Sequence, residues 1–387
     1  METLPIWFTL PQYLPFDTQI CWIRIKYYYS NPFLAVWDNA LKQFTSVDNT
    51  IVYPAWTIAR WREYSNTNDL SFTLINNQDP LNVFSITMAG MKYFAYSIDW
   101  GDGNSISGYW KGSNETFTHE FTTTGNKNIV ITMPSASLIY LSVLSEPLAV
   151  SLPDLSDFFN LETIAIVSCD PGGNIYSSFP FEKIKYLSLR NNDLLGIVPS
   201  TSNLPLIEHF DVSSNSFPGS VFDFSSNSKL SYVAFLGITL SGTLPDFSML
   251  PLLSELYVQN NLLSGSLPNF LLNTSINIFR AFNNNFSGDI PDISSCALLT
   301  QYRIYTNQLT GSLLTQAPLM LIDFQAQNNL LSETAVNSIL AAFVLNLNLR
   351  PVTGILNLAG TGNAPPAAQG LIDKAAIIAH GWTVTTN

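Results

Sequence analysis

The chain has 387 residues, of which 47% are hydrophobic, 13% aromatic and only 11% charged. This composition excludes an intrinsically disordered chain, because such chains are rich in charge and poor in apolar residues. The 16 basic and 28 acidic residues give a net charge of −12, which argues against a nucleic-acid partner. Three cysteines, Cys21, Cys169 and Cys296, are odd in number and far apart, so we expect free thiols and synthesis in a reducing compartment.

The N-terminus and the hydropathy of the chain bear on export. The first residues carry Glu2, lack a basic region and are interrupted by Pro5 and Pro11, so they do not predict a signal peptide. The nearest approach to a membrane-spanning run, Ile339 to Leu347, is far shorter than the roughly 18 residues that such a helix needs. We therefore expect no membrane insertion and no ordinary secretion.

Residues 1–68 are dense in aromatic side chains and punctuated by prolines. Their strand-like runs are short, which predicts a small β-rich segment, and their apolar residues are many for so small a core. We expect this segment to attach the protein to a partner, with the stretch Ile58 to Arg62 at the seam. Packing against further copies of the chain in a homo-oligomer, and simple packing onto the next domain, are the open alternatives.

Residues 69–136 alternate apolar and polar side chains as strands do. The run Gly101–Gly103 is a tight-turn signal between two of these strands. Together with Trp100 and the run His119–Phe121, it resembles the landmarks of polycystic-kidney-disease-type domains. The resemblance implies an Ig-like β-sandwich that serves as a spacer or adhesion module. Three side chains near this turn would also suit calcium, although a plain turn explains them better: Asp99, Asp102 and Asn104.

A repeat fills residues 137–332. Between Ile184 and Leu194, apolar residues stand at positions 1, 4, 6 and 11 and an asparagine at position 9, and the pattern returns about every 23 residues. The asparagines at that position are Asn192, Asn215, Asn261, Asn284, Asn307 and Asn329. Degenerate copies on the same spacing carry Glu146, Cys169 and Ile238 there. The pattern predicts about nine turns in register.

The physical meaning of the repeat is direct. Its alternating core predicts a short strand that is buried on one face. The asparagine stands where the chain leaves the strand, and its amide can satisfy backbone groups of the bend. Since each turn buries its apolar residues only against its neighbours, the pattern predicts a solenoid with a parallel sheet along one side. Ile238 cannot make the amide contact, so we expect a local irregularity there.

This repeat resembles the leucine-rich repeat family over roughly residues 138–360. Its tails, such as Leu263 to Pro268, look like the L-x-G-x-I-P signature of plant-type extracellular repeats. The chain lacks paired cysteines in flanking caps, and its repeat is one residue shorter than the plant pattern, which argues against a plant receptor. Similar repeats occur in bacterial and phage surface proteins. The expected fold is mixed: a leucine-rich repeat solenoid with a C-terminal α/β cap, preceded by the sandwich and the β-rich segment.

Residues 333–387 are predicted to close the array, because repeat proteins need a capped end. We expect a first helix with Ser332 or Thr334 as N-cap, and a second that begins at Pro365–Pro366 and stops at Gly381. Two short strands are also predicted: Ile355–Leu358 and Trp382–Val384. The apolar stripe of the first helix is Val336, Ile339, Leu340, Phe343 and Val344. The apolar stripe of the second helix is Ala368, Leu371, Ile372, Ala375 and Ile378.

The sequence offers little for catalysis. Its three histidines, His119, His209 and His380, have no nucleophile or metal ligand at a useful spacing. It contains no phosphate-binding loop, zinc motif or nucleophile elbow. The 28 acidic residues always offer carboxylate pairs, so a glycan-processing enzyme stays as a weaker alternative. We predict a non-enzymatic protein with no catalytic residue, metal or cofactor.

The better candidate site is the row of side chains between the buried residues of the parallel sheet, which we expect to face solvent. Tyrosine and arginine recur there on adjacent turns, and both are frequent in interface hot spots. Aromatic faces beside polar amides would also suit a glycan, while β-propensity alone would enrich tyrosine on such strands. The predicted binding residues are Tyr186, Arg190, His209, Asp211, Tyr232, Glu255, Tyr257, Gln259, Arg280, Phe282, Arg303 and Tyr305.

The order of these parts predicts a protein that attaches, extends and binds. This layout resembles a bacteriophage virion protein, similar to a tail or head fibre. On that interpretation the N-terminal segment docks to other virion proteins, and the repeats meet a host surface protein or glycan. The alternative is a leucine-rich repeat adhesin on a bacterial cell surface.

Overall fold

A computed structural model describes strand segments at 19–23, 33–38, 43–46, 52–54, 67–74 and 83–90, and then residues 95–123, 125–134, 137–146, 155, 158–169, 181–195, 200–217, 219 and 221–387. The chain divides into two units. The first comprises Met1–Leu141 and Pro153–Leu161, and the second comprises Ser142–Leu152 and Glu162–Asn387. None of the helices described is long and apolar enough to cross a membrane.

The first unit begins with four strands. They are β1 (Gln19–Ile23), β2 (Phe33–Asp38), β3 (Gln43–Ser46) and β4 (Val52–Pro54). They form one antiparallel sheet in chain order. Their backbone agrees with the β-rich prediction for residues 1–68. The expected attachment seam at 58–62, and the side chain of Cys21, lie outside the described residues.

Six further strands follow in this unit. They are β5 (Thr67–Leu74), β6 (Val83–Gly90), β7 (Ala95–Asp99), β8 (Ser105–Tyr109), β9 (Glu115–Glu120) and β10 (Lys127–Pro134). Strand β10 pairs antiparallel with both β5 and β7, β7 pairs with β8, and β6 pairs with β9. Alternate residues point into an apolar core that includes Trp100 and Trp110, each 1% exposed. The predicted tight turn is confirmed, because Gly101 and Gly103 both have positive φ between β7 and β8.

The second unit is a parallel solenoid. The strand β11 (Leu138–Leu144) spans the boundary between the units. The main sheet then runs through β12 (Thr163–Val167), β13 (Tyr186–Ser188), β14 (His209–Asp211), β15 (Tyr232–Ala234), β17 (Glu255–Tyr257), β19 (Ile278–Arg280), β21 (Gln301–Arg303), β23 (Asp323–Gln325), β24 (Ile355–Asn357) and β25 (Thr383–Thr385). A second sheet contains β16 (Ser241–Thr243), β18 (Leu262–Gly265), β20 (Asn285–Ile290) and β22 (Gln308–Ser312). All the pairings within these two sets are parallel.

The predicted parallel solenoid is confirmed, with about seven regular turns rather than the nine that the pattern predicted. Each turn leaves its strand through a left-handed residue directly before the asparagine position, which a short polar residue or glycine tolerates best. The same conformation marks the degenerate copies as well. These positive-φ residues are Ser145, Ser168, Asn191, Ser214, Gly237, Asn260, Asn283, Thr306 and Asn328.

The asparagines form the expected ladder. The Nδ2 group of Asn215 donates to the carbonyls of Leu189 at 2.8 Å and Val212 at 2.9 Å, and its Oδ1 accepts from the backbone N–H of Leu194 at 3.0 Å. One side chain thus satisfies backbone groups of two neighbouring turns in a buried site, where unpaired groups would each cost about 1–3 kcal/mol.

The irregularity expected at Ile238 is confined to its turn. The Oδ1 atom of Asn261 accepts from the N–H groups of both Ile238, at 3.2 Å, and Leu240, at 3.1 Å. Thr239 takes a positive φ, yet the strands on either side pair without a shift of register. The missing amide therefore changes the backbone of one turn and leaves the sheet register intact.

The first helix of the cap agrees with the prediction. Helix α1 (Glu333–Val344) is capped by Ser332, whose hydroxyl accepts from the N–H of Ala335 at 3.2 Å. Thr334 therefore lies inside the helix. The buried residues include Val336, Ile339, Leu340 and Phe343.

The second helix of the cap differs from the prediction in the face that it buries. Helix α2 (Gln369–Ala379) begins after Pro366 and buries Gly370, Asp373 and Ile377. The predicted buried stripe is wrong, because Ala368, Leu371, Ile372, Ala375 and Ile378 are all exposed. The reason lies at Gly370, where an added Cβ would collide with the side-chain amide of Asn337 on α1. The glycine permits close contact between the helices, and this contact turns the larger apolar residues outward.

A candidate binding face on the parallel sheet

The side chains that alternate with the buried ones form rows across the main sheet. The strand register places the first residue of each strand beside that of the next, as in the pairing of Tyr186 with His209 and of His209 with Tyr232. The repeat therefore converts a spacing of 23 residues in sequence into a lateral spacing of about 4.8 Å on one face. Side chains from distant parts of the chain become neighbours.

Four side chains of these rows form what we call the aromatic ladder: Tyr186, His209, Tyr232 and Tyr257. The ring centroids of Tyr186 and His209 lie 4.0 Å apart, with planes inclined by 9°. His209 and Tyr232 also stack at 4.0 Å, and Tyr232 lies 5.4 Å from Tyr257 at a tilt of 42°. Because neighbouring rings cover both faces of His209, a partner meets ring edges and polar tips there rather than open ring faces.

Burial changes the chemistry of this ladder. It lowers the pKa of His209 to about 4, so the imidazole is neutral near pH 7, with one nitrogen as donor and the other as acceptor. Burial also raises the pKa of Tyr232, with a further contribution from the nearby carboxylates of Asp211 and Glu255. The ladder is therefore an uncharged surface over the ordinary pH range.

Two of the predicted binding residues are less accessible than expected. Asp211 and Gln259 are each 5% exposed, so the prediction that they face solvent is wrong. The carboxylate of Asp211 turns back to accept from the backbone N–H of Ser213 at 3.0 Å. Burial raises its pKa, while the hydrogen bonds from Ser213 and the charge of Arg190 act in the opposite direction.

The opposite end of the face is ionic, and we call it the arginine end: Arg280, Gln301, Arg303 and Asp323. The Nε and Nη2 groups of Arg303 donate to Oδ2 of Asp323 at 2.8 and 2.6 Å. The Nε group of Arg280 donates to Oε1 of Gln301 at 2.8 Å. Arg280 also lies over the ring of Tyr257 at 5.2 Å, so it joins the two parts of the face.

The other predicted residues complete the rows. Tyr257 donates to the carboxylate of Glu255 at 2.6 Å. Phe282 and Tyr305 stack on adjacent turns, with centroids 4.4 Å apart and an angle of 7°. Arg190 is exposed. Ten of the twelve predicted residues are at least partly accessible on this face, which brings them together as one surface.

The histidines and aspartates described below, which lie outside the sheet face, make contacts within their own part of the fold. In the first unit, His119 lies 2.7 Å from the carboxylate of Asp102 and stacks on Trp100 at 4.9 Å. The Oδ1 atoms of Asp99 and Asp102 accept from N–H groups of their own turn, which fits the plain-turn reading. His380 contacts the carbonyl of Arg350 at 3.2 Å. Among the residues described, no three His, Cys, Asp or Glu side chains are grouped to hold a metal ion.

A second ladder of buried asparagines and the ring stacking were not predicted from the sequence. The Nδ2 group of Asn273 donates to the carbonyls of Phe247 at 2.7 Å and Leu250 at 2.9 Å. Asn227 makes the same contacts two turns earlier. The spacing of 46 residues between them was the available signal. Cys169 and Cys296 are buried free thiols, as predicted for these two cysteines.

Several solved structures are similar to this chain, whereas no protein-family model and no curated protein matches it. A TDR receptor is 20% identical, with a TM-score of 0.48 over 62% of this chain and 41% of that one. The LRR ectodomain of the plant membrane receptor kinase GASSHO1/SCHENGEN3 from Arabidopsis thaliana is 20% identical, with a TM-score of 0.49 over 66% and 34%. The functional domain of InlJ from Listeria monocytogenes is 15% identical, with a TM-score of 0.49 over 68% and 56%. The chain thus spans between about a third and just over half of the length of these proteins.

Proposed function

We propose that this chain is a non-enzymatic binding protein that holds an extended protein segment on the exposed face of its main sheet. The observation that carries the proposal is the stacking of Tyr186, His209 and Tyr232 at 4.0 Å. These rings are fixed by their neighbours before any partner arrives, so binding costs little side-chain entropy. Their exposed edges and hydroxyl tips suit hydrogen bonding to a polypeptide. A sugar ring that needs an open aromatic face finds both faces of His209 occupied.

The setting that we propose is a bacteriophage virion, in which the N-terminal segment anchors the protein and the repeats face the host. Two features support it: modules of adhesion type, including the sandwich that resembles polycystic-kidney-disease-type domains, and the buried unpaired thiols of Cys169 and Cys296. Immunogold labelling of intact particles with antibody to the repeats tests this setting. Label along the particle surface is expected. Label on bacterial cells and none on particles would favour the alternative of a cell-surface adhesin.

The binding proposal is tested with an array of extended 12-residue peptides probed by the full chain, beside a glycan array probed in parallel. We expect a set of peptides that binds the wild type and loses at least about tenfold in affinity with Tyr232→Ala. Met249→Ala is the matched control, because Met249 is exposed at 60% but lies away from the sheet face. Binding to glycans alone, or equal loss in both variants, would refute the proposal.

A further inference from the structure

The face of the main sheet gathers the accessible arginines of the second unit. That unit contains four arginines: Arg190, Arg280, Arg303 and Arg350. Arg350 is buried and donates to backbone carbonyls of its own unit. The other three are at least partly accessible and belong to the rows of the main sheet. In a chain with a net charge of −12, guanidinium groups are thus concentrated on the proposed binding face.

The positive charge at the arginine end is only partly compensated. The strand register places Arg280 directly beside Arg303, and two like charges so close repel each other. The Oδ2 atom of Asp323 accepts from Arg303, and its Oδ1 atom accepts from the side-chain amide of Gln325 at 2.9 Å. Because both oxygens of this carboxylate are engaged by other groups, two arginines share one aspartate, and one positive charge remains in excess.

Arg280 is held in place by two uncharged groups. Its Nε donates to Oε1 of Gln301 at 2.8 Å, and its guanidinium carbon lies 5.2 Å from the centre of the Tyr257 ring. Tyr257 stays neutral near pH 7, because burial and the carboxylate of Glu255 raise its pKa. The guanidinium is therefore oriented in advance without being neutralised by these contacts. Such a planar group presents its N–H donors as a fixed fork that matches a carboxylate.

We infer that the extended segment on this face carries an aspartate or glutamate side chain that pairs with Arg280. This inference rests on the proposed function, since it names the chemistry of the segment that the same face holds. The carboxylate would accept two parallel hydrogen bonds and would offset the excess charge beside Arg303. The main sheet continues past the strand of Arg280 through four more strands, so a side chain within the segment, rather than its C-terminus, meets this arginine.

The strand spacing predicts where the acidic residue stands in the segment. The register leads from the strand of Tyr232 to the strand of Arg280 in two steps, through β17 (Glu255–Tyr257). Two steps of about 4.8 Å cover about 10 Å, and an extended segment advances about 3.4 Å per residue. A segment that crosses the strands therefore places its acidic residue about three positions from the residue over Tyr232.

Peptide pairs that differ by one carboxylate test the contact with Arg280. In a peptide that binds the wild type on the array, each acidic residue is replaced in turn by its amide, and every C-terminus is amidated. We expect one acidic position at which the carboxylate improves binding to the wild type at least about tenfold. Arg280→Gln should bind both members of that pair alike, and its unchanged affinity for the amide member shows that the variant is folded.

Lys229→Gln is the matched control, because it removes the same charge from an exposed residue outside the main sheet and should keep the tenfold preference. Peptides that need Tyr232 but show the same preference in wild type and Arg280→Gln, or contain no acidic residue, would overturn this inference and leave the proposed function standing. Binding to acidic glycans alone would overturn both.

Discussion

The two ends of the sheet face are held in different ways. The aromatic ladder at Tyr186, His209 and Tyr232 is uncharged and fixed by ring stacking at 4.0 Å. The arginine end is fixed by charge, through the contact of Arg303 with Asp323 at 2.6 Å. Both ends stand on the same backbone repeat. The repeat sets the spacing of the side chains, while their identities decide whether a partner meets a neutral or an ionic surface.

The largest loss of stability is expected from a change at Asn284, the ladder asparagine that lies between the two ends of the face. Asn284 donates to the carbonyls of Val258, Ala281 and Phe282 and accepts from the N–H of Leu263. Asn284→Ala removes all four of these hydrogen bonds and leaves the buried N–H of Leu263 without its acceptor, whereas the three carbonyls keep other donors. We therefore expect the free energy of unfolding to fall by about 3 kcal/mol. Urea unfolding checks this.

Asn285→Ala is the matched control, because this neighbouring asparagine is exposed and its contact with the side chain of Gln308 is long at 3.4 Å. We expect a change within about 0.5 kcal/mol. Equal losses in the two variants would contradict the role of the internal ladder in supporting both ends of the face.

Acidification is expected to lower the free energy of unfolding through His209 in the aromatic ladder. Burial lowers the pKa of His209 to about 4 in the folded protein, whereas the ordinary value in an unfolded chain is about 6.5. The unfolded state therefore binds a proton first as the pH falls. The contribution of His209 to stability is complete above pH 6.5 and declines between about pH 6.5 and pH 4, by about 2 kcal/mol after allowance for partial exposure.

The test is the difference in the free energy of unfolding between pH 7 and pH 4.5, for the wild type and for His209→Gln. Glutamine cannot take up the proton, so the variant should lose less stability on acidification. If both proteins lose the same amount, the imidazole is not shielded by its two neighbouring tyrosines.

High salt is expected to weaken the ion pair at the arginine end, and this effect on the free energy of unfolding is smaller. The side chain of Arg303 is 29% exposed and that of Asp323 only 10%, so Asp323→Asn should cost about 1 kcal/mol at low ionic strength. That cost should fall in about 1 M NaCl, where the screening length is about 3 Å, but only in part, because Asp323 is buried. Tyr232→Phe at the neutral end should show no such dependence. Urea unfolding at two salt concentrations checks both variants.

Much of this architecture could be predicted because it depends on period alone. The 23-residue spacing predicted the strands and the asparagine ladder, since every turn repeats the same contacts. The stacking of His209 between Tyr186 and Tyr232 was not predicted, because it depends on the rotamers of side chains on three turns. Asp211 was expected to be exposed, but its carboxylate turns back to the backbone of Ser213.

The orientation of the second cap helix shows a different limit. A periodic stripe indicates that a face is apolar, but it does not say what covers it. Gly370 permits contact with Asn337 on the other side of the helix, and this close approach decided which face was buried. Leu371 and Ile372 were left exposed on the outer face of the helix.

Hydrogen–deuterium exchange of the full chain, with and without a peptide selected on the array, tests whether the main sheet is the binding face. We expect slower exchange in the peptide-bound state at residues 186–190, 209–213, 232–236 and 255–259 together, because these segments form one face. Protection confined to the second sheet at residues 241–243, 262–265 and 285–290, with no change on the main sheet, would contradict it.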